Sequence, residues 1–140
     1  MNRESIKGRW SVVSWEQVYD DGRIVLPMGT EVEGFIEYSD NGMFCVVSKK
    51  DRKAFTTGGQ WSADDAEKAA AYSSYLTYAG GYDIDGDTIT HHVEYSVFPN
   101  WVGGTQYRNA ELVGDILTLT TAKLEADTTE ARVSKLKFKR

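Results

Sequence analysis

The sequence predicts an all-β domain in which about eight to nine short antiparallel strands form an up-and-down barrel. Strand-like runs rich in Val, Tyr and Trp alternate with turn signals from one end of the chain to the other. Neighbouring runs are joined by short glycine turns such as Asp40-Asn41-Gly42 and Gly114-Asp115, which favour β-hairpins. A meander of this many hairpins tends to close on itself, and a small barrel holds its own side chains or one small ligand.

The individual segments follow from the same turn signals. We predict strands at 9–19, 34–39, 43–48, 78–84, 88–97, 105–113, 116–121 and 131–139. Residues 62–76 differ, because they are alanine-rich and acidic residues follow Ser62, a suitable N-cap. We predict a short helix there, with Tyr72 and Tyr75 packing over the barrel. Nothing indicates a second domain, so residues 1–140 are expected to form one.

Composition limits the classes of partner. The net charge of −5 argues against nucleic acid, which requires a basic surface. Cys45 is the only cysteine, which excludes an intrachain disulfide and a cysteine zinc cluster, and we interpret it as a small apolar core residue. No apolar run is long enough to cross a bilayer, and the first ten residues lack the apolar segment of a secretory signal. We therefore expect a cytoplasmic protein without a membrane partner.

Side-chain alternation along the predicted strands assigns an interior face to each hairpin. Tyr82 falls opposite His91, and the same interior face carries Tyr78 and Tyr95. This face is mostly apolar and aromatic, as a barrel lumen requires. A single β-bulge would invert the assignment beyond it, and one placed before residue 91 would exchange His91 with His92.

Several polar residues share the predicted interior. Gln106 and Arg108 lie on the lumen face of their strand, and Glu16 joins them if Trp10 points inward. An unpaired buried charge is costly, so Arg108 needs a partner. We expect either an Arg108–Glu16 ion pair or an Arg108 that grips the carboxylate or carbonyl oxygen of a ligand.

These residues resemble those of the bacterial lipocalin-like domain proteins. The likeness spans nearly the whole chain and is carried by Gly8-Arg9-Trp10, Ser14-Trp15-Glu16, Tyr78-Ala79-Gly80-Gly81-Tyr82, the run THHVEYSVFPNWVGG at 90–104, Gln106-Tyr107-Arg108 and Glu111-Leu112-Val113-Gly114-Asp115. The resemblance implies a calycin-like barrel whose closed end is plugged by Trp10 and covered by Arg140. It also implies an unknown cargo, because lipocalin-like groups include carriers as well as small isomerases and cyclases.

The two adjacent histidines have different interpretations. His91 and His92 point to opposite faces of one strand and are the only histidines, so they do not form a metal site together. His91 is either a core histidine hydrogen-bonded to a neighbour such as Tyr82 or Tyr95, or a group that contacts the ligand or acts in acid–base chemistry. His92 shares the outer face with Glu94, where we expect a solvated pair. Trp101 lies either in a purely structural connection or at the barrel mouth.

Three functions remain open. The first is binding of a small, apolar or amphipathic molecule in the cavity; the second is a cofactor-free isomerase or cyclase that uses His91, Glu16 and Arg108 as catalytic groups. The third is a barrel that is filled by its own side chains and acts through its outer face, which a cavity below about 300 Å³ would favour. We expect no metal and no other cofactor, and the sequence does not predict the oligomeric state. The candidate ligand-binding residues are Glu16, Tyr78, Tyr82, His91, Tyr95, Trp101, Gln106 and Arg108.

Overall fold

The computed structural model describes residues 1–122 and 130–140, which contain nine strands in a single antiparallel sheet. Eight of these strands form a closed barrel. The strands are β1 (Gly8–Tyr19), β2 (Ile24–Val25), β3 (Val32–Ser39), β4 (Gly42–Lys49), β5 (Tyr75–Asp85), β6 (Thr88–Ser96), β7 (Thr105–Val113), β8 (Ile116–Thr121) and β9 (Arg132–Lys139). The barrel closes because β1 pairs with β3 on one side and with β9 on the other. The two-residue β2 adds an extra strand beside β1. The predicted architecture is confirmed.

The hairpin registers also agree with the predicted alternation. Tyr38 pairs with Met43, and Leu112 pairs with Leu117. The β7–β8 turn depends on Gly114, whose φ of 59° lies in the left-handed region that glycine enters without strain. With these registers, the buried side chains of successive strands meet in one core inside the barrel.

Two β-bulges interrupt the alternation. In β1 the pairing with β9 slips by one residue between Val12 and Ser14, and Val13 is the extra residue. In β6 the pairing with β5 slips in the same way, so that Glu94 has no partner. Each bulge moves every later residue of its strand to the other face of the sheet.

The closed end of the barrel is built around Trp10. This side chain is fully buried, and its indole N–H donates to the Ile6 carbonyl oxygen at 2.8 Å. The Arg140 guanidinium lies 4.1 Å from the centre of the Trp10 ring and donates to the carbonyl oxygens of Lys7 and Ser5. A short helix, α1 (Arg3–Ile6), brings those carbonyl groups over the barrel end. The plug and its basic cover match the sequence-based expectation.

The mid-chain helix differs from the prediction in extent and in packing. It runs over α2 (Asp65–Ser73), and its N-cap is Asp64, whose carboxylate accepts the N–H of Glu67. Ser62 is therefore not the cap. No residue of α2 is buried; Tyr72 is exposed, and Tyr75 belongs to β5. The expectation that the two tyrosines pack the helix onto the barrel was wrong.

A short 3₁₀ helix, Pro99–Trp101, connects β6 to β7. It lies at the barrel end opposite Trp10, where β1, β6 and β8 finish and β5, β7 and β9 begin. Within the described ranges, no helix has the length and apolar character needed to span a lipid bilayer.

Candidate functional site

A partly open cavity of about 30 Å³ lies inside the barrel toward the end opposite Trp10. Its lining is mostly aromatic and aliphatic and includes Trp15, Leu76, Tyr78, Trp101 and Arg108. This volume has room for a water molecule or a few ligand atoms, whereas pockets for drug-sized ligands start at about 300 Å³. The cavity is therefore a small space in a lumen filled largely by its own side chains, and its size alone favours the third function, a filled barrel.

Two indole groups of the cavity wall lack hydrogen-bond partners. The Nε1 atoms of Trp15 and Trp101 are both buried, and neither has a hydrogen-bond acceptor among residues 1–122 and 130–140. A buried donor that is left unpaired costs about 1–3 kcal/mol of stability. Such atoms are rare in folded proteins, and here both belong to side chains that line one cavity. An acceptor atom that entered this cavity would remove part of that cost.

The two tryptophans reach the cavity by different routes. Trp15 is turned inward by the bulge at Val13 and pairs in register with Leu136 of β9. Trp101 is carried inward by the 3₁₀ helix and meets Tyr78 edge-to-face, with ring centres 5.4 Å apart. Trp101 thus lies at the barrel end opposite Trp10. The barrel mouth was one of the two positions that the sequence left open for it.

A hydrogen-bonded chain runs from the core to the cavity wall. The Nε2 atom of His91 lies 2.7 Å from the Tyr38 hydroxyl oxygen, and its Nδ1 atom lies 2.9 Å from the Tyr78 hydroxyl oxygen. His91 and Tyr38 are buried, and Tyr78 also borders the cavity. A core histidine bonded to tyrosine is confirmed, but the expected partners Tyr82 and Tyr95 were wrong, because the hydroxyls within reach are those of Tyr38 and Tyr78.

Burial sets the protonation of this chain. Loss of hydration, with a further contribution from the Arg108 charge, lowers the pKa of His91 from 6.5 to about 3. Burial likewise raises the pKa of the Tyr38 hydroxyl well above its ordinary value, and that of the Cys45 thiol to about 12. The imidazole, the phenol and the thiol are therefore all neutral at physiological pH.

Arg108 contributes the charge near this chain. Its side chain is buried, and β7 holds it between Ile89 of β6 and Thr121 of β8. Its guanidinium donates to the Tyr107 carbonyl oxygen at 3.0 Å. The same register places Gln106 opposite His91. The sequence-based placement of both residues on the lumen side is therefore correct.

Two candidate residues lie outside the lumen, and both follow a bulge. Glu16 pairs in register with Lys135, whose side chain is on the outer surface. The Arg108–Glu16 ion pair was therefore a wrong prediction. Tyr95 pairs with Ala79 beyond the Glu94 bulge and is 74% exposed, so its placement in the lumen was also wrong.

Tyr82 and His92 complete the set of candidates. Tyr82 is buried, but its hydroxyl donates to the Ser39 carbonyl oxygen near the closed end, away from the cavity. His92 lies on the outer face, where its Nε2 atom is 2.7 Å from an Asp83 oxygen. Its partner is thus Asp83 and not Glu94. Across residues 1–122 and 130–140, no three His, Cys, Asp or Glu side chains form a group suited to a metal ion.

Known proteins share this barrel architecture. Residues 7–140 match the family model of the lipocalin-like domain. A crystal structure of a lipocalin-like protein from Bacteroides uniformis superimposes with a TM-score of 0.50 over 96% of this chain and 97% of that one, at 16% sequence identity.

A curated relative is similar over part of the chain. The 4'-hydroxy-3'-methoxypropiophenone carrier protein ppsC of Aspergillus oryzae is 40% identical over 68 residues. The match covers 43% of this chain and 61% of the relative, so it spans less than two thirds of that protein.

Proposed function

Because the chain belongs to the lipocalin-like domain family, we propose that it binds and carries a small, largely apolar molecule in the barrel lumen. The observation that carries this proposal is the convergence of buried polar groups on one partly open aromatic cavity. Small-molecule sites combine apolar walls with a few fixed polar groups, and here Arg108, Tyr78 and the two indole N–H groups supply them. The Aspergillus oryzae relative, whose name states that it carries an aromatic ketone, supports the same reading.

The small cavity requires that a ligand displace side chains as it enters. Trp101 is suited to this movement, because it lies on a three-residue 3₁₀ helix outside the strands. Its ring contacts are edge-to-face contacts with Tyr78 and Phe98, and its N–H holds no acceptor among the described residues. Shifting Trp101 outward would therefore break no hydrogen bond of its side chain. We propose that an entering ligand pushes Trp101 outward and that the indole N–H stays at the edge of the enlarged cavity.

Catalysis by the same cavity is less well supported. Both ring nitrogens of His91 are engaged by tyrosine hydroxyls, and the low pKa keeps the imidazole neutral. Glu16, the other proposed proton carrier, lies outside the barrel. We therefore propose binding as the function. A cytoplasmic location stays a prediction.

The test is a titration with 4'-hydroxy-3'-methoxypropiophenone, followed by tryptophan fluorescence. The variant Trp61→Phe provides the background, because Trp61 is 81% exposed and would add emission unrelated to the lumen. We expect saturable quenching with one molecule bound per chain, since Trp15 and Trp101 border the cavity.

A matched pair of variants locates the bound molecule. Leu76→Phe adds a ring to the cavity wall and is expected to weaken binding at least tenfold. Thr77→Phe adds the same ring on the opposite face of β5 and is expected to leave binding unchanged. An absence of saturable binding, or equal affinity in the two variants, would contradict lumen binding.

A further inference from the structure

We infer that the cavity selects ligands through hydrogen-bond acceptor atoms, and that its ligand class is aromatic molecules bearing a carbonyl or ether oxygen. This inference rests on the proposed binding function and specifies its chemistry. It follows from the side chains of the cavity wall. Three of them, Trp15, Trp101 and Arg108, can donate hydrogen bonds but cannot accept them.

The indole groups give the clearest indication. An indole Nε1–H donates and has no lone pair with which to accept. The Nε1 atoms of Trp15 and Trp101 are buried without a partner, and both side chains border the cavity. A ligand oxygen placed between them would satisfy donors that folding leaves unpaired. An ammonium or an alkyl group in the same position would not.

Other wall residues add to this pattern. Thr121 Oγ1 accepts the N–H of Ser134 at 2.8 Å, so part of its accepting capacity is already used. The Arg108 guanidinium has only donors. The Cys45 thiol stays protonated, because burial raises its pKa to about 12. The described wall contains no aspartate or glutamate that would attract an amine.

The experiment compares three probes that share a phenyl ring and a three-carbon chain: propiophenone, propylbenzene and 1-phenylpropan-1-amine. Each is titrated into the Trp61→Phe protein. We expect propiophenone to bind at least tenfold more tightly than propylbenzene, because it restores hydrogen bonds to buried donors. We expect the amine to bind most weakly of the three, since it brings a charged donor into a wall of donors.

Variants identify the donors. Trp15→Phe and Trp101→Phe remove one N–H each and should each reduce the preference for the ketone over propylbenzene by about threefold or more. Replacing Trp15 with 3-benzothienylalanine keeps the ring shape without the N–H. That variant should bind propylbenzene normally while losing ketone preference, which separates the hydrogen bond from packing or folding defects.

The outcomes separate the two proposals. If propylbenzene binds as tightly as propiophenone, or if the benzothienyl variant keeps full ketone preference, the inference is overturned while binding in the lumen stands. If the amine binds most tightly, the inference is overturned as well. If none of the three probes, nor 4'-hydroxy-3'-methoxypropiophenone, binds saturably, the proposed function fails and the inference fails with it.

Discussion

The Nε2 atom of His91 lies 2.7 Å from the hydroxyl oxygen of Tyr38, in a region of the core that excludes water. A second tyrosine, Tyr78, occupies the other ring nitrogen at 2.9 Å. The three side chains come from β3, β5 and β6, so one polar chain joins distant parts of the barrel wall. Its members satisfy one another, and removal of the central residue would leave the Tyr38 hydroxyl unpaired and take one hydrogen bond from Tyr78.

His91→Phe should therefore destabilise the fold by about 2–3 kcal/mol, because the orphaned Tyr38 hydroxyl carries a desolvation cost of about 1–3 kcal/mol and Tyr78 loses one hydrogen bond. Urea unfolding monitored by circular dichroism measures the change. His92→Phe is the matched control, since His92 is on the outer face and should change stability by less than about 0.5 kcal/mol. Equal effects of the two variants would show that the buried chain contributes little.

His91 should also make stability depend on pH. Burial and the Arg108 charge lower its pKa from 6.5 to about 3 in the folded state. Between these values the unfolded chain binds a proton that the folded chain excludes, so the free energy of unfolding falls as pH falls from about 6.5 toward 3. The contribution reaches about 1.4 kcal/mol per pH unit. His91→Phe should remove this part of the slope in denaturant titrations at pH 7 and 5, and parallel profiles would contradict the assignment.

Adjacent glycines in β5 provide a test of the sheet geometry. A Cβ atom at position 80 would lie 1.8 Å from the His92 carbonyl oxygen, whereas one at position 81 would meet no atom within 4 Å. Gly80→Ala should therefore cost at least about 2 kcal/mol, since the backbone of the bulged β6 must move. Gly81→Ala should be neutral or slightly stabilising. Thermal unfolding of both variants checks the difference; similar melting temperatures would mean that the strands do not approach so closely.

The basic cover of the closed end should contribute modestly to stability. Arg140→Ala removes the ring contact with Trp10 and two hydrogen bonds to carbonyl oxygens of the N-terminal segment. We expect a loss of about 1 kcal/mol, most of it kept in high salt because the contact covers an apolar ring. Lys139→Ala, one residue earlier on the outer face, is the control. Identical unfolding midpoints for the two variants would argue against the cover.

The sequence predicted the barrel and much of its interior because both depend on regular alternation. Arg108 and His91 belong to strands in which no bulge separates them from the turns used to assign their faces. Tyr82 and Met43 follow the same rule. Turn glycines and period-two patterns are local signals, and local signals set the register of a hairpin.

The errors have one physical origin. Glu16 was misplaced because the extra residue Val13 lies between it and Trp10, from which its face was assigned. Tyr95 was misplaced because the extra residue Glu94 lies between it and the β5–β6 turn. A bulge bends and twists its strand to fit the curvature of the closed barrel, and this curvature cannot be read from a short window of sequence. For the same reason Trp15 was missed as a lumen residue. The Ser14-Trp15-Glu16 run offered a signal, since an aromatic on a predicted outer face beside a predicted buried carboxylate suggests an inverted register.

The most direct test of lumen binding is a ¹H–¹⁵N correlation spectrum of the tryptophan indole groups. The chain has four tryptophans and therefore four indole N–H signals, which single Trp→Phe variants assign. On addition of 4'-hydroxy-3'-methoxypropiophenone, we predict saturable shifts of the Trp15 and Trp101 signals and little change for Trp10 and Trp61. Unchanged Trp15 and Trp101 signals, or a shift confined to the exposed Trp61, would contradict a ligand site inside the barrel.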